Sequence, residues 1–313
     1  MFKMKHKEIG FVKNRKKFFI FSTVLMLAII ISSFVFGVDL DIRFKGGTMV
    51  DYSYAGEQGA VDLEQVSEIA SDVLGSNLTV EEKFNKLTNQ NGFEITLVDN
   101  DGVSSEVQGD LTDKLQEIFA DQDIKQLSIT SVNPTMGKEF FIKCMVAVLF
   151  GSLLMILYIG IRFRKIGGVS AGFMAVVALL HDVMVVFGTF VVFKMPLDDS
   201  FIAVVLTILG YSINSTIVIY DRIRENKRLY GSTKSLGEVV NISVNQTLAR
   251  SVNTSVATIL SMVVVCIVAL IFGVNSILSF AFPIIMGLIS GAYSSVCLAS
   301  ELWVTWKEKR EKA

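Results

Sequence analysis

Tyr211, Ser212, Asn214 and Ser215 stand together inside an otherwise apolar run, VVLTILGYSINSTIVIYDRIREN (204–226), which ends abruptly in charge. Hydrocarbon would leave this amide and these hydroxyls without hydrogen-bond partners, so the kernel must face other helices or a water-filled path. Two further places carry groups able to hold an ion or a proton. His181 and Asp182 adjoin in AVVALLHDVMVVFG, where Asp182 is the only carboxylate deep in an apolar run, and Arg250 stands at the entry to ARSVNTSVATIL. An unpaired carboxylate at that depth is costly, so Asp182 must be paired or neutralised. Two roles stay open for it: anchoring near the aqueous end of its helix at the cytoplasmic boundary, or handling an ion or proton. Arg250 divides similarly, between snorkelling to the interface and pairing with the span that holds Ser212. Beyond Arg250, the groups Ser251, Asn253, Thr254, Ser255 and Thr258 are expected to meet Ser212, Asn214 and Ser215. Such interhelical bonds contribute about 0.6–2 kcal/mol each and position helices more than they hold them.

Chemistry on a substrate is not indicated. The chain has no HExxH, GxSxG or Walker A sequence and no Cys/His cluster, and its two histidines, His6 and His181, are far apart. It is therefore not expected to be an enzyme, to hold a metal or to carry a cofactor. Any work it does must draw on an external energy source or on a partner.

The elements that position these residues belong to a membrane protein. Of 313 residues 51% are hydrophobic, and the mean hydropathy is +0.54, too apolar for an ordinary soluble domain. Apolar stretches of bilayer-crossing length predict six spans at 18–37, 140–160, 166–193, 201–220, 252–272 and 277–303. Basic residues gather in the N-terminus (1–17), after the second span (Arg162, Arg164, Lys165), in the loop 221–250 and in the tail 304–313. All four segments fall on one side of a six-span topology, which places both termini in the cytoplasm. The first span is too long for a typical signal peptide and lacks a cleavage pattern after it, so it reads as an uncleaved anchor that directs residues 38–139 outward. The three cysteines, Cys144, Cys266 and Cys297, lie within spans and read as packing residues.

Segment 38–139 reads as a compact α+β unit. Strand patterns at Thr48–Tyr54, Leu78–Leu87, Phe93–Val98 and Ile124–Val132 alternate with helical patterns at Asp62–Leu74 and Val103–Phe119. The order β-α-β-β-α-β is the ferredoxin-like plan. Asp101 is placed to cap the second helix. The unit's acidic surface reads either as a solvated face or as a docking face for a cationic or unfolded partner. Gly46-Gly47 reads as a turn or domain hinge between the first span and the first strand. Gly287, Gly291 and Ser295, spaced at four, and Gly168 and Gly172 form flat ridges that permit close helix packing. In 221–250, Leu236, Val239, Val240 and Val244 share one side, which predicts an amphipathic helix at the inner surface. The basic residues of this loop are explained by topology and do not indicate nucleic-acid binding.

Together these motifs resemble the SecF branch of the SecD/SecF family, in the resistance-nodulation-division superfamily. The resemblance covers essentially the whole chain. It rests on a DxxFxGGT element (Asp41, Phe44, Gly46, Gly47, Thr48), the ferredoxin-like insertion, the His-Asp pair, GYSIN…DRIREN, and the final Gly287, Gly291, Tyr293, Ser294 and Ser295. It implies an accessory subunit of the Sec preprotein translocase that pairs with SecD, joins the SecYEG channel with YajC as a further associate, and uses the ion gradient to help export preproteins. One position departs from the family pattern: Asp-Thr usually follows GYSIN, and here Ser215-Thr216 does. Serine can coordinate a cation or order water but cannot carry a proton charge, which leaves Arg250 without its obvious counter-charge. Three outcomes follow: SecD supplies the carboxylate, Asp182 substitutes, or the chain is a scaffold without its own ion coupling. A small-molecule exporter of the same superfamily and a receptor with an outer sensing domain are the remaining alternatives.

Overall fold

The computed structural model describes residues 8–56, 59–74, 78–85, 90–97, 103–132 and 134–312. Among them, six helical segments are long and apolar enough to cross a membrane. They are α1 (Phe11–Phe36), α5 (Pro134–Arg162), α6 (Gly168–Val192), α7 (Asp199–Tyr230), α8 (Leu236–Phe272), and a last span made of α9 (Asn275–Ser294), a π-helical turn (Ser295–Ala299) and α10 (Ser300–Lys312). In α6 and α7, 56% of the most apolar window is buried inside the bundle, against 11–17% in α1, α5 and α8. The first two therefore form its centre, and the other three present apolar surface outward.

Local sequence sets the helix ends. Asp198 accepts from the backbone N–H groups of Ser200 and Phe201 and caps α7. Ser235 and Glu238 form a reciprocal capping box that starts α8, and Gly273, at φ 68°, ends it. The amphipathic surface helix expected within 221–250 is not a separate element. DRIREN continues α7, and Leu236–Val244 forms the first turns of the long α8. Val239, Val240 and Val244 are fully buried, so the apolar face that suggested a lipid surface is satisfied inside the bundle.

The inserted unit contains β1 (Gly47–Tyr54), α3 (Leu63–Leu74), β2 (Leu78–Asn85), β3 (Gln90–Leu97), α4 (Ser105–Ile118) and β4 (Lys125–Val132). The sheet order is β2-β3-β1-β4 with every neighbour antiparallel, the ferredoxin-like arrangement. Tyr52, Phe93 and Ile95 pack beneath Val66, Ala70, Leu111 and Leu115 from the helices. The alternation in β2 is imperfect because Glu82 lies in register with Phe93 and there accepts a bond from Tyr54 Oη at 2.9 Å. Ser104 caps α4; Asp101, expected in that role, lies outside the described residues.

A short helix, α2 (Ile42–Lys45), leads into β1. Gly46 and Gly47 have φ of 82° and 142°, which L side chains rarely adopt, so the glycine pair is required by the turn itself. Just before it, Leu197 N donates to Asp39 O (2.9 Å) and Asp41 N to Leu197 O (3.1 Å). These bonds tie the segment entering the outer unit to the α6–α7 connection.

On the sheet face away from the helices, Lys83 bridges Asp51 (2.9 Å) and the nearly buried Glu94, while Ser128 donates to Asp51 at 2.6 Å. Burial pushes the Glu94 carboxyl up, and the Lys83 ammonium only partly offsets it. Burial acts on Asp51 too, but its bonds from Ser128 and Lys83 outweigh it and hold that carboxyl below its usual range. Lys83→Met is expected to destabilise the unit by about 1 kcal/mol at pH 7, a figure already reduced for the exposure of the ammonium. Because both carboxylates then lose their cation, the penalty shrinks as pH falls through the carboxylate range and both take up protons. Urea melts of wild type and variant at pH 7 and pH 4 check this; a penalty equal at both pH values contradicts it.

Candidate functional site

Asp182 lies near the middle of α6, about 15 Å or more along the helix from either end, and is fully buried. This mid-helix, buried position does not favour anchoring at the cytoplasmic boundary. Three serine hydroxyls donate to it instead. Ser212 on α7 and Ser294 on α9 each reach Oδ2 at 2.7 Å, and Ser290 on α9 reaches Oδ1 at 2.6 Å. His181 Nδ1 is 3.4 Å from Oδ1 and 3.3 Å from Ser290 Oγ. The three central helices thus converge on one carboxylate. Each hydroxyl can turn between donating and accepting, so the hydrogen bonds of the cluster can adjust to the charge on Asp182.

Glycine makes the convergence possible. A Cβ on Gly291 would stand 3.1 Å from Ser212 Oγ, and one on Gly287 only 2.6 Å from Ile208 and 2.9 Å from Val186. Either side chain would wedge α9 away from α7. Ser295, the third member of this ridge, donates to Gly291 O at 2.7 Å. Gly168 and Gly172 play the same part between α6 and α5, where added Cβ atoms would meet the carbonyl oxygens of Gly160 and Ile156 at 2.2 and 3.1 Å.

The other sequence candidates do not join the cluster. Tyr211 Oη donates to Thr258 Oγ1 at 3.1 Å, a bond between α7 and α8 that was not expected, while none of the bonds expected from Ser212, Asn214 or Ser215 to α8 forms among the described residues. Asn214 is exposed. Ser215 is half-buried, and Ser255 is buried with its hydroxyl unpartnered among the described residues. Thr254 donates back to Arg250 O within α8. Arg250 is exposed and lines a cavity of about 500 Å³ together with Asp221 and Glu225. Ser212 turns to Asp182 rather than to α8.

Sequence reasoning missed Ser290 altogether and noted Ser294 only as part of a motif. Their signal is an i, i+4 hydroxyl pair running beside the Gly287/Gly291 ridge. It also missed Glu301, which is fully buried with neither carboxyl oxygen hydrogen-bonded among the described residues. Asp182 is therefore not the only carboxylate inside the bundle. Glu301 reads as a helix end because charge follows it in sequence, yet α10 packs against α1, α6, α7 and α8 at this level. Between the two carboxylates lies the π-helical turn, whose Ala299 carbonyl accepts from Tyr220 Oη at 3.2 Å while Tyr220 also bonds Ala171 O. Interruptions of this kind mark functional sites in many helices.

Six spans interrupted after the first by a ferredoxin-like unit, closed around a buried carboxylate, define a multi-pass membrane protein. The family model for the C-terminal part of the protein export membrane proteins SecD/SecF matches residues 110–309. SecF of Sebaldella termitidis is 35% identical over 94% of this chain and 91% of its own length. SecDF of Bacillus subtilis is 34% identical over 96% of this chain, which spans only 38% of that protein. The crystal structure of SecDF, a translocon-associated membrane protein from Thermus thermophilus, superposes with a TM-score of 0.79 at 28% identity, covering 98% of this chain and 40% of that one. The chain belongs to the SecD/SecF family of protein-export membrane proteins.

Proposed function

We propose that this chain acts as the SecF subunit of an export complex in the bacterial cytoplasmic membrane, with both termini cytoplasmic. It pairs with SecD, joins the SecYEG channel with YajC as a further associate, and helps to draw preproteins outward at the expense of a proton or sodium gradient. The fused SecDF relatives support the pairing: this chain corresponds to about two fifths of their length, and its outer helices α1, α5 and α8 leave apolar faces uncovered. The exporter and receptor alternatives give way to this reading because the family is one of protein-export proteins.

The observation that carries ion coupling is Asp182, buried and held by hydroxyls from two neighbouring helices. Binding of a cation or proton there changes which hydroxyls donate, and so changes how α7 and α9 pack on α6. The α6–α7 connection is bonded to the segment entering the outer unit through Asp39, Asp41 and Leu197, which gives a route from the site to that unit. One charge moved through the membrane potential supplies about 2.3 kcal/mol per 100 mV, enough over several cycles to bias a sliding chain.

A second reading is favoured by Arg250, exposed and without an ion pair among the described residues. Here Ser215 and Arg250 serve a carboxylate from SecD, and this subunit supplies no coupling group of its own. Preprotein translocation into vesicles holding the chain with SecD separates the two, measured with and without an imposed proton or sodium gradient. On the first reading stimulation needs the gradient, and Ser215→Asp changes it little. On the second, Arg250→Ala removes the gradient response. Stimulation indifferent to both gradients overturns ion coupling in either form.

A further inference from the structure

At the basic end of the bundle, the α5–α6 turn and α10 enclose a cavity of about 890 Å³, within the range that bound small ligands occupy. Arg164, Lys307 and Arg310 line it and, among the described residues, no carboxylate does. Arg164 and Arg310 have no ion pair among the described residues; the Arg310 guanidinium lies 5.4 Å over the Trp306 ring, and Lys307 Nζ lies 5.5 Å over that of Trp303. The first turn of α6, Gly168–Ser170, forms part of the same wall and has no capping side chain. Its N–H groups and the positive end of the helix dipole add to the attraction for an anion.

The rest of the wall is apolar and continues out of the cavity. Val169, Phe173, Val177 and Leu180 form an exposed stripe at helical spacing, 71%, 56%, 36% and 52% accessible. From Val169 to Leu180 it runs about 16 Å along α6, close to the depth of one leaflet's hydrocarbon. A free anion has no use for that stripe, and an acidic peptide cannot follow it into the bilayer. A cationic recess at the water boundary above a membrane-facing apolar track fits one occupant: a lipid with an anionic head group.

We propose that this cavity binds the phosphate of an anionic phospholipid, with its acyl chains lying along the Val169–Leu180 stripe. The inference requires that the chain span a membrane but does not depend on ion coupling or on any export partner. The chain's two tryptophans, Trp303 and Trp306, both stand beside the cations and serve as reporters. The full chain is reconstituted in phosphatidylcholine containing a fixed minor fraction of phosphatidylglycerol, with brominated acyl chains placed on one lipid or on the same amount of the other. Quenching by brominated phosphatidylglycerol is expected to exceed that by brominated phosphatidylcholine several-fold. Arg164→Gln and Arg310→Gln are each expected to lower the preference about fivefold. Equal quenching by the two lipids in the wild-type chain overturns the proposal without recourse to any variant, as does an unchanged preference in the folded double variant. Relief of that preference by millimolar inorganic phosphate at constant ionic strength is expected, because the free and lipid phosphates compete for the same cations; a recess that takes only a free anion shows equal quenching by the two lipids.

Discussion

Asp182→Asn is expected to reduce preprotein translocation to its gradient-independent level while leaving the bundle assembled. Asparagine matches aspartate in size and keeps a carbonyl oxygen for one serine hydroxyl. Its amide can donate to the others, because Ser212, Ser290 and Ser294 can each rotate to accept. What it cannot do is bind a proton or balance a cation. Asp182→Ala removes more, since it strands three buried hydroxyls that all donate to this carboxylate. At about 1–3 kcal/mol for each unsatisfied group, the loss amounts to several kcal/mol. The alanine variant should therefore melt earlier in detergent as well as lose activity, and the asparagine variant should only lose activity. Translocation assays in vesicles and thermal melts followed by size-exclusion chromatography read the two effects separately. A full gradient response in Asp182→Asn would sink the coupling role of this residue.

A second large effect on stability is expected from Gly168→Val. A Cβ at this position would lie 2.2 Å from Gly160 O and 2.9 Å from the carbonyl carbons of Gly160 and Phe163. These are backbone atoms at the end of α5, so no rotamer change relieves the contact. The α5–α6 turn must open, at a cost of about 3 kcal/mol or more. Gly287→Ala makes a useful comparison, because its new methyl would press on the Ile208 and Val186 side chains, which can shift, and a smaller loss is expected. Gly210→Ala, with nothing within 4 Å of the added Cβ, should be neutral or slightly stabilising, since alanine favours the helix. If Gly168→Val melts no earlier than Gly210→Ala, the close approach of α5 and α6 is wrong.

Hydropathy and turn chemistry were enough to read the spans and the inserted unit. Six apolar runs of bilayer length correspond to the six long helices, and the β-α-β-β-α-β order corresponds to the sheet order β2-β3-β1-β4. Boundaries were less legible. α7 and α8 run well past the predicted ends at 220 and 252, since DRIREN and Leu236–Val244 keep helical periodicity after hydrophobicity falls. A hydropathy window registers only the apolar part of such a helix.

The sequence by itself determined the class of protein and the six spans with their inserted unit, and it singled out Asp182 as needing partners, because a carboxylate inside hydrocarbon is costly wherever it lies. Only the tertiary structure decided what holds that carboxylate. The partners come from positions 30 and more than 100 residues away, Ser212 on α7 and Ser290 and Ser294 on α9. Which face of each helix turns inward depends on the glycine contacts at Gly287 and Gly291, and no local pattern encodes that rotation. The same holds for Glu301, whose burial follows from the helices packed around α10.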